Sequence, residues 1–276
     1  MFGQVIVGVD GGPTGRDAVA LARQLIGSDA RVALAHVHEL TPVRGASGAY
    51  GVIENEESRK LLGRERDAAG VDAELLTVTA SSVGRGLHYL AQEHSADLLA
   101  VGSNPRSLVG RVLLGDVTRA ALIGAPCAVA VAPLGYAAEG REIARIGVAY
   151  DGSSESAAAL KCARELAGMH AATLSALAVV EPSSYGAIVR AVAGGESEQE
   201  RVARATQELE ALQGVEGRVA VGEAGEELAA FGEGLDLLVM GSRGYGPLRS
   251  LMFGSTATHL AANAACALLV LPREDD

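Results

Sequence analysis

The chain has no tryptophan, and phenylalanine and tyrosine together make up only 3% of its 276 residues. That leaves few π-faces on which bases could stack. A formal net charge of −11 points the same way, because phosphate backbones are held by clustered Lys and Arg. Nucleic acid is therefore not an expected partner. Lysine is nearly absent as well. Lys60 and Lys161 stand alone, neither follows a G-x4-G sequence, and a Walker-type phosphate loop is excluded. The three cysteines, Cys127, Cys162 and Cys266, contain no C-x2-C pair, which argues against a disulfide framework or a zinc site and favours a reducing cytoplasm. No apolar run reaches membrane-spanning length, and Val5–Val9 begins without a charged leader, so neither a membrane segment nor a signal peptide is expected.

What is abundant is small and apolar, and it repeats. Val5-Ile-Val-Gly-Val-Asp10-Gly11 returns as Ile146-Gly-Val-Ala-Tyr-Asp151-Gly152. Ala96 to Ser103 returns as Leu235 to Ser242, and Cys127 to Pro133 as Cys266 to Pro272. A period this long means two tandem domains, not a solenoid. The expected division is 1–138 and 139–276, inside a polar, glycine-bearing linker from Leu134 to Glu142. In each half five short apolar runs alternate with helical patterns: Val5–Val9, Val32–Val37, Glu74–Val78, Leu98–Val101 and Ala128–Ala132, then Ile146–Ala149, Leu174–Val180, Gly217–Val221, Leu237–Met240 and Leu268–Leu271. This predicts an α/β fold of two doubly wound domains, each a five-stranded parallel sheet with helices on both faces. The stretches Thr41–Tyr50 and Pro182–Gly195 read as longer loops, either flaps over a crevice or exposed connections.

The richest stretch runs from Asp236 to Pro272. An apolar strand is followed by a loop with Gly241, Gly244, Gly246 and Gly254, then by Ser255 opening an alanine-rich helix, then by a second strand. Glycines let a backbone approach a ligand, and the free N–H groups of a helix start face an anion. A tight connection whose glycines serve only packing is the competing reading. The spacing G-x2-G-x9-G-S, with the M-G-S-R-G opening and the C-A-L-L-V-L-P ending, resembles the ATP-binding branch of the universal stress protein family, and the resemblance extends over both halves. It implies the strand order 3-2-1-4-5, which places a crevice at the carboxyl ends of strands 1 and 4.

The resemblance also implies an ATP site in the second half, with or without Mg2+. Asp151 would contact the adenosine end and Val179 would pack on the adenine. Met240, Gly241 and Gly244 would lie beneath the ribose and α-phosphate, and Gly254, Ser255 and Thr256 would hold the phosphates. Arg243 and Arg249 are possible charge-assisted additions. Plainer roles compete: Asp151 as the cap of the following helix, Val179 as a core residue, the arginines as solvated loop residues. The first half departs from the pattern. Asp10, Val37, Gly102 and Gly115 are retained as a weaker site, but Pro105 replaces the second glycine and Asp116 the serine. Proline has no N–H to offer, and a carboxylate there would oppose a polyphosphate. ATP is thus expected to favour the second half, a nucleoside or AMP-like ligand remaining compatible with the first.

His36 and His38 share a strand face but show no third ligand in the spacing, so strand-end histidines are preferred to a metal site. No catalytic residue is identifiable. The leading expectation is a stress-response regulator or survival factor that binds ATP. The rivals are a slow ATP hydrolase of the nucleotide alpha hydrolase type, against which Asp10-Gly-Gly-Pro and Asp151-Gly-Ser-Ser argue, and an assembly module with no nucleotide. The apolar fifth strands at the sheet edges invite pairing. An intrachain pseudo-dimer through them is expected, with a homodimer of chains left open.

Overall fold

The computed structural model describes residues 2–40, 49–104, 110, 112, 115–182, 196–242, 260 and 264–272, with backbone only for 49–55. The first half contains β1 (Phe2–Gly8), α1 (Pro13–Leu25), β2 (Ile26–Glu39), α2 (Ala49–Ala69), β3 (Ala73–Ala80), α3 (Val83–Glu93), β4 (Leu98–Gly102), α4 (Asp116–Leu122) and β5 (Ala128–Ala132). A short helix α5 (Tyr136–Glu139) leads to the second half. There β6 (Arg145–Ala149), α6 (Ser154–His170), β7 (Thr173–Val180), α7 (Glu198–Glu210), β8 (Glu216–Val221), α8 (Ala224–Gly232), β9 (Leu237–Gly241) and β10 (Ala267–Leu271) follow.

The central strands are apolar throughout because helices cover both of their faces. In β4, β5 and β9 nearly every residue is buried. Helix starts follow local chemistry. Pro13 supplies a preset φ at the first position of α1. Ser82 and Ser153 accept from the N–H groups of Arg85 and Ser156 at the starts of α3 and α6. Ser197 and Glu200 form a reciprocal capping box on α7. The second strand is longer than its apolar run suggests, because α1 passes directly into β2 at Ile26.

The ten strands form one sheet in the order β3-β2-β1-β4-β5-β10-β9-β6-β7-β8. Each half thus has the order 3-2-1-4-5 that the family resemblance implies. Pairing within each half is parallel, whereas β5 and β10 pair antiparallel, with Val131, Ala130 and Val129 opposite Leu268, Leu269 and Val270. The antiparallel seam reverses strand direction, so the carboxyl ends of the two halves lie on opposite edges of the sheet. Both covering layers of core run across the seam. Ala128, Ala130 and Ala132 share one cluster with Ala267 and Leu269, and Val129 and Val131 share the other with Leu268 and Val270.

The repeat extends to a contact between distant residues. Asp97, just before β4, accepts from the N–H groups of Gly3 (2.7 Å) and Gln4 (3.1 Å). Asp236, just before β9, accepts in the same way from Ala144 (3.0 Å) and Arg145 (2.8 Å). Each carboxylate fixes the start of the neighbouring first strand. Only the second half adds an arginine, whose Nη2 lies 2.9 Å from Asp236.

The segment read as a polar linker is built into the core. Tyr136 and Ile143 are buried, and the expected dividing line between 138 and 139 passes through α5. Asp17 on α1 accepts from the N–H groups of Gly135 and Ala137. Gln24, at the other end of α1, donates to the Tyr136 hydroxyl and the Arg141 carbonyl and accepts from Ile143 N–H at 3.0 Å. Its own carbonyl is 2.7 Å from His170 Nε2 at the end of α6. Burial, partly offset by the two N–H groups, raises the Asp17 pKa above the ordinary carboxylate value. The stretch between Tyr136 and Ile143, from Ala137 to Glu142, stays largely at the surface.

Candidate functional site

In both halves an aspartate stands two residues past the first strand and is followed by a glycine at positive φ, Gly11 at 80° and Gly152 at 77°, a conformation that favours glycine. Asp10 Oδ1 accepts from Gly12 N–H at 2.9 Å, and its Oδ2 lies 3.5 Å from the Thr14 hydroxyl. Asp151 Oδ1 accepts from Ser153 N–H at 3.1 Å and also from the Ser153 hydroxyl. The cap of α6 is therefore Ser153, not Asp151 as the sequence reading allowed. The aspartate instead braces the turn that carries the cap.

The fourth strand of each half ends beside this turn. The register sets Val148 against Val239, so Asp151 and Gly241 emerge from adjacent strands at the same edge. Val179, on the other side of β6, comes up near the same edge through pairing of Ala149 with Leu177. Asp151, Val179, Met240 and Gly241 thus converge, with Met240 buried and Val179 half-buried. Ser242 follows. Its N–H donates to the Leu271 carbonyl, while its hydroxyl is buried and has no hydrogen-bond partner among the described residues. Arg243, Gly244, Arg249, Gly254, Ser255 and Thr256 lie outside the described residues.

Gly241 has a structural reason to be glycine. A Cβ there would lie 2.7 Å from the Cβ and carbonyl oxygen of Glu155, in the first turn of α6. At Gly102 a Cβ would lie 2.1 Å from the Thr14 carbonyl oxygen. The first glycine of each loop is needed where the strand end meets the helix start.

The first half holds a defined crevice of about 320 Å³ at the carboxyl ends of β1 and β4. All four residues of the expected weaker site, Asp10, Val37, Gly102 and Gly115, line it. Its walls are apolar at Val37, Val83, Leu87 and Val101, and polar at Asp10, His36, Ser103, Asn104, Asp116 and Thr118. Thr118 donates its hydroxyl to the Gly102 carbonyl at 2.9 Å, tying α4 to the end of β4. Asp116 is the first helical residue after the Gly115 cap. Pro105 lies outside the described residues. Sequence reasoning missed His36, Asn104 and Thr118 as lining residues. Their closeness in the chain to Val37, Gly102 and Asp116 was the available signal.

His36 Nδ1 is 2.8 Å from the Val9 carbonyl and must be the donor, since a carbonyl only accepts. His38 Nε2 contacts the Ser58 hydroxyl. No cluster of three metal-ligating side chains exists among the described residues. Cys127 and Cys266 are buried, and burial pushes both thiols up to about 12, so neither supplies a thiolate near neutrality. No helix among the described residues is long and apolar enough to cross a membrane. Of the loops Thr41–Tyr50 and Pro182–Gly195, read as flaps or exposed connections, residues 41–48 and 183–195 lie outside the described residues, and Ala49 and Tyr50 belong to α2.

Comparison with known proteins matches both halves to one family. A model described as the universal stress protein family aligns with residues 1–133 and 142–272. A Thermus aquaticus protein described as "Universal stress protein in QAH/OAS sulfhydrylase 3'region" is 34% identical over 130 residues, 45% of this chain and 95% of that protein. Among solved structures, a universal stress protein from Archaeoglobus fulgidus superposes with a TM-score of 0.71 at 19% identity, covering 98% of both chains. A putative universal stress protein from Pseudomonas aeruginosa gives 0.63 at 17% identity, covering 98% of this chain and 93% of that one. At these identities the two structures establish a shared architecture.

Proposed function

The chain belongs to the universal stress protein family, and from that premise we propose that its second half binds ATP and that the protein acts as a cytoplasmic stress-response regulator or survival factor. The observation that carries this reading is the convergence of the Asp151 turn and the Gly241–Ser242 strand end, directly before the loop with G-x2-G-x9-G-S spacing. In this reading Asp151 accepts from the ribose hydroxyls, Val179 packs on the adenine, and Met240, Gly241 and Gly244 form the floor. Gly254, Ser255 and Thr256 supply backbone N–H and hydroxyl donors to the phosphates, with or without Mg2+. Arg243 and Arg249 add charge near them.

The role is binding without efficient turnover. No side chain described at this edge is arranged as a nucleophile with its base. Slow hydrolysis would be a by-product of holding the phosphates. The fifth-strand seam makes each chain a pseudo-dimer of its two halves, leaving other surfaces for any association between chains. Isothermal titration of ATP into the full chain and into Gly254→Val tests the reading. One ATP per chain is expected in the parent and none in the variant, with the fold retained by circular dichroism. ATP binding that survives Gly254→Val overturns it.

A further inference from the structure

One part of the first-half glycine loop has a task that ligand binding does not explain. The residues before Gly115 are apolar, Val112-Leu-Leu, and so are their counterparts before Gly254, Leu251-Met-Phe. This apolar run is kept although positions around it have diverged, with Pro105 standing for Gly244 and Asp116 for Ser255. For Val112 the structure supplies the reason. The residue is almost fully buried, and its N–H donates at 2.8 Å to the carbonyl of Ala264, which belongs to the other half of the chain. Val112 shares one buried layer with Leu260, Ala264 and Cys266 of the second half. Just before it, Gly110 at a φ of 79° donates to the Leu134 carbonyl at 2.7 Å. The loop is therefore tied to the end of its own half and then reaches across the seam.

The place it reaches is specific. Leu260 and Ala264 are fully buried, and Ala264 N–H donates to the Leu260 carbonyl at 2.7 Å. In the chain they stand between Gly254, Ser255 and Thr256, the positions proposed to hold the phosphates, and β10, which forms the seam with β5. A brace on Ala264 thus acts on the segment whose opposite end would take the anion. We propose that Val112 is a positioning residue for the second-half site: the first-half loop holds the Leu260–Ala264 segment across the seam and keeps the phosphate-binding positions before it in their competent arrangement. The effect on affinity rests on the ATP reading of the second half; the brace itself does not. Where loss of the brace lowers the fraction of chains that are competent to bind, apparent affinity falls by the same factor.

The test compares two trimmed valines in the full chain. Val112→Ala keeps the N–H and removes buried side-chain volume at the brace. Val129→Ala removes the same volume from the same core layer, at the β5–β10 pairing opposite Val270. Both are expected to lower the urea midpoint, as buried truncations do. Amide hydrogen exchange from Leu260 to Cys266, measured by mass spectrometry without nucleotide, is expected to be at least about tenfold faster in Val112→Ala and within about twofold of the parent in Val129→Ala. Under conditions where every variant is folded, ATP is expected to bind Val112→Ala about tenfold more weakly than the parent and Val129→Ala with unchanged affinity. The proposal is overturned if exchange in this segment is no faster in Val112→Ala than in Val129→Ala. It is also overturned if exchange accelerates while the ATP affinity of Val112→Ala stays that of the parent, or if both variants lose affinity alike. A parent chain that binds no ATP would sink the reading of the second half alone, and the exchange rates would still decide for or against the brace.

Discussion

The two halves carry the same strand order and the same aspartate pin before the fourth strand, yet they diverge at the helix that faces the crevice. In the first half α4 opens with Asp116 after Gly115; the matching second-half positions are Ser255 and Gly254. Everything needed to build the sheet is duplicated, and the charge presented at the carboxyl edge is not. The sheet and the charge at its carboxyl edge are thus carried by different residues, and one can change while the other stays.

Three measurements would break or sharpen that comparison. The largest effect is expected at the seam, where the halves share a core. Ala130 is fully buried opposite Leu269, so Ala130→Glu or Leu269→Glu places an uncompensated charge between the halves. Each is expected to lower the unfolding free energy by more than about 4 kcal/mol, the range reserved for such lesions, and by similar amounts. A shift in urea midpoint confined to one of two separate transitions would show that the halves are energetically independent.

Next come the paired glycines. Gly102→Ala drives a methyl against backbone, 2.1 Å from the Thr14 carbonyl oxygen, whereas Gly241→Ala meets Glu155 at 2.7 Å. Overpacking costs roughly 1–3 kcal/mol. The first-half variant is expected at or above the upper end and the second-half variant below it, as read from urea unfolding. Equal costs would mean that the two strand ends adapt alike.

The smallest effect tests the one pin that differs. Burial opposes ionisation of Asp236, but hydrogen bonds from the Arg145 side chain and from the N–H groups of Ala144 and Arg145 outweigh it and hold its pKa below the ordinary value. A carboxylate of this kind contributes stability above its unfolded pKa of about 4 and loses it as the pH falls through the folded value. Arg145→Gln copies Gln4 of the first half. Because Arg145 is largely exposed, a loss of about 0.2–1 kcal/mol at pH 7 is expected, with parent and variant converging below pH 4. A difference that does not shrink at all as the pH falls below 4 would assign the effect to packing of the arginine stem.

Much of this architecture was legible in the chain because parallel strands buried on both faces are spelled as short apolar runs. The strand order followed from a family resemblance that the repeat supported. Long-range polar contacts were not legible: nothing near Asp97 or Asp236 in sequence indicates that each carboxylate reaches a strand more than ninety residues away. Tyr136 was hidden in a short, largely exposed stretch, with nothing in the letters to show that Asp17 and Gln24 would bond its backbone. The loop glycines taught a different lesson. Gly102 and Gly241 suited a ligand reading, but helix packing already requires them, so the letter alone could not separate the two roles. Asp116 was the more informative residue, because a carboxylate at that helix start has no comparable packing reason among the contacts seen.

The seam has a consequence for how such asymmetry can persist. When two identical subunits pair through their last strands, any change in one site is copied into the other, and dilution can separate them. Here β5 and β10 belong to one molecule, so their encounter is set by a tether and not by protein concentration. A fused pair can therefore keep two unlike halves in fixed one-to-one proportion at any abundance.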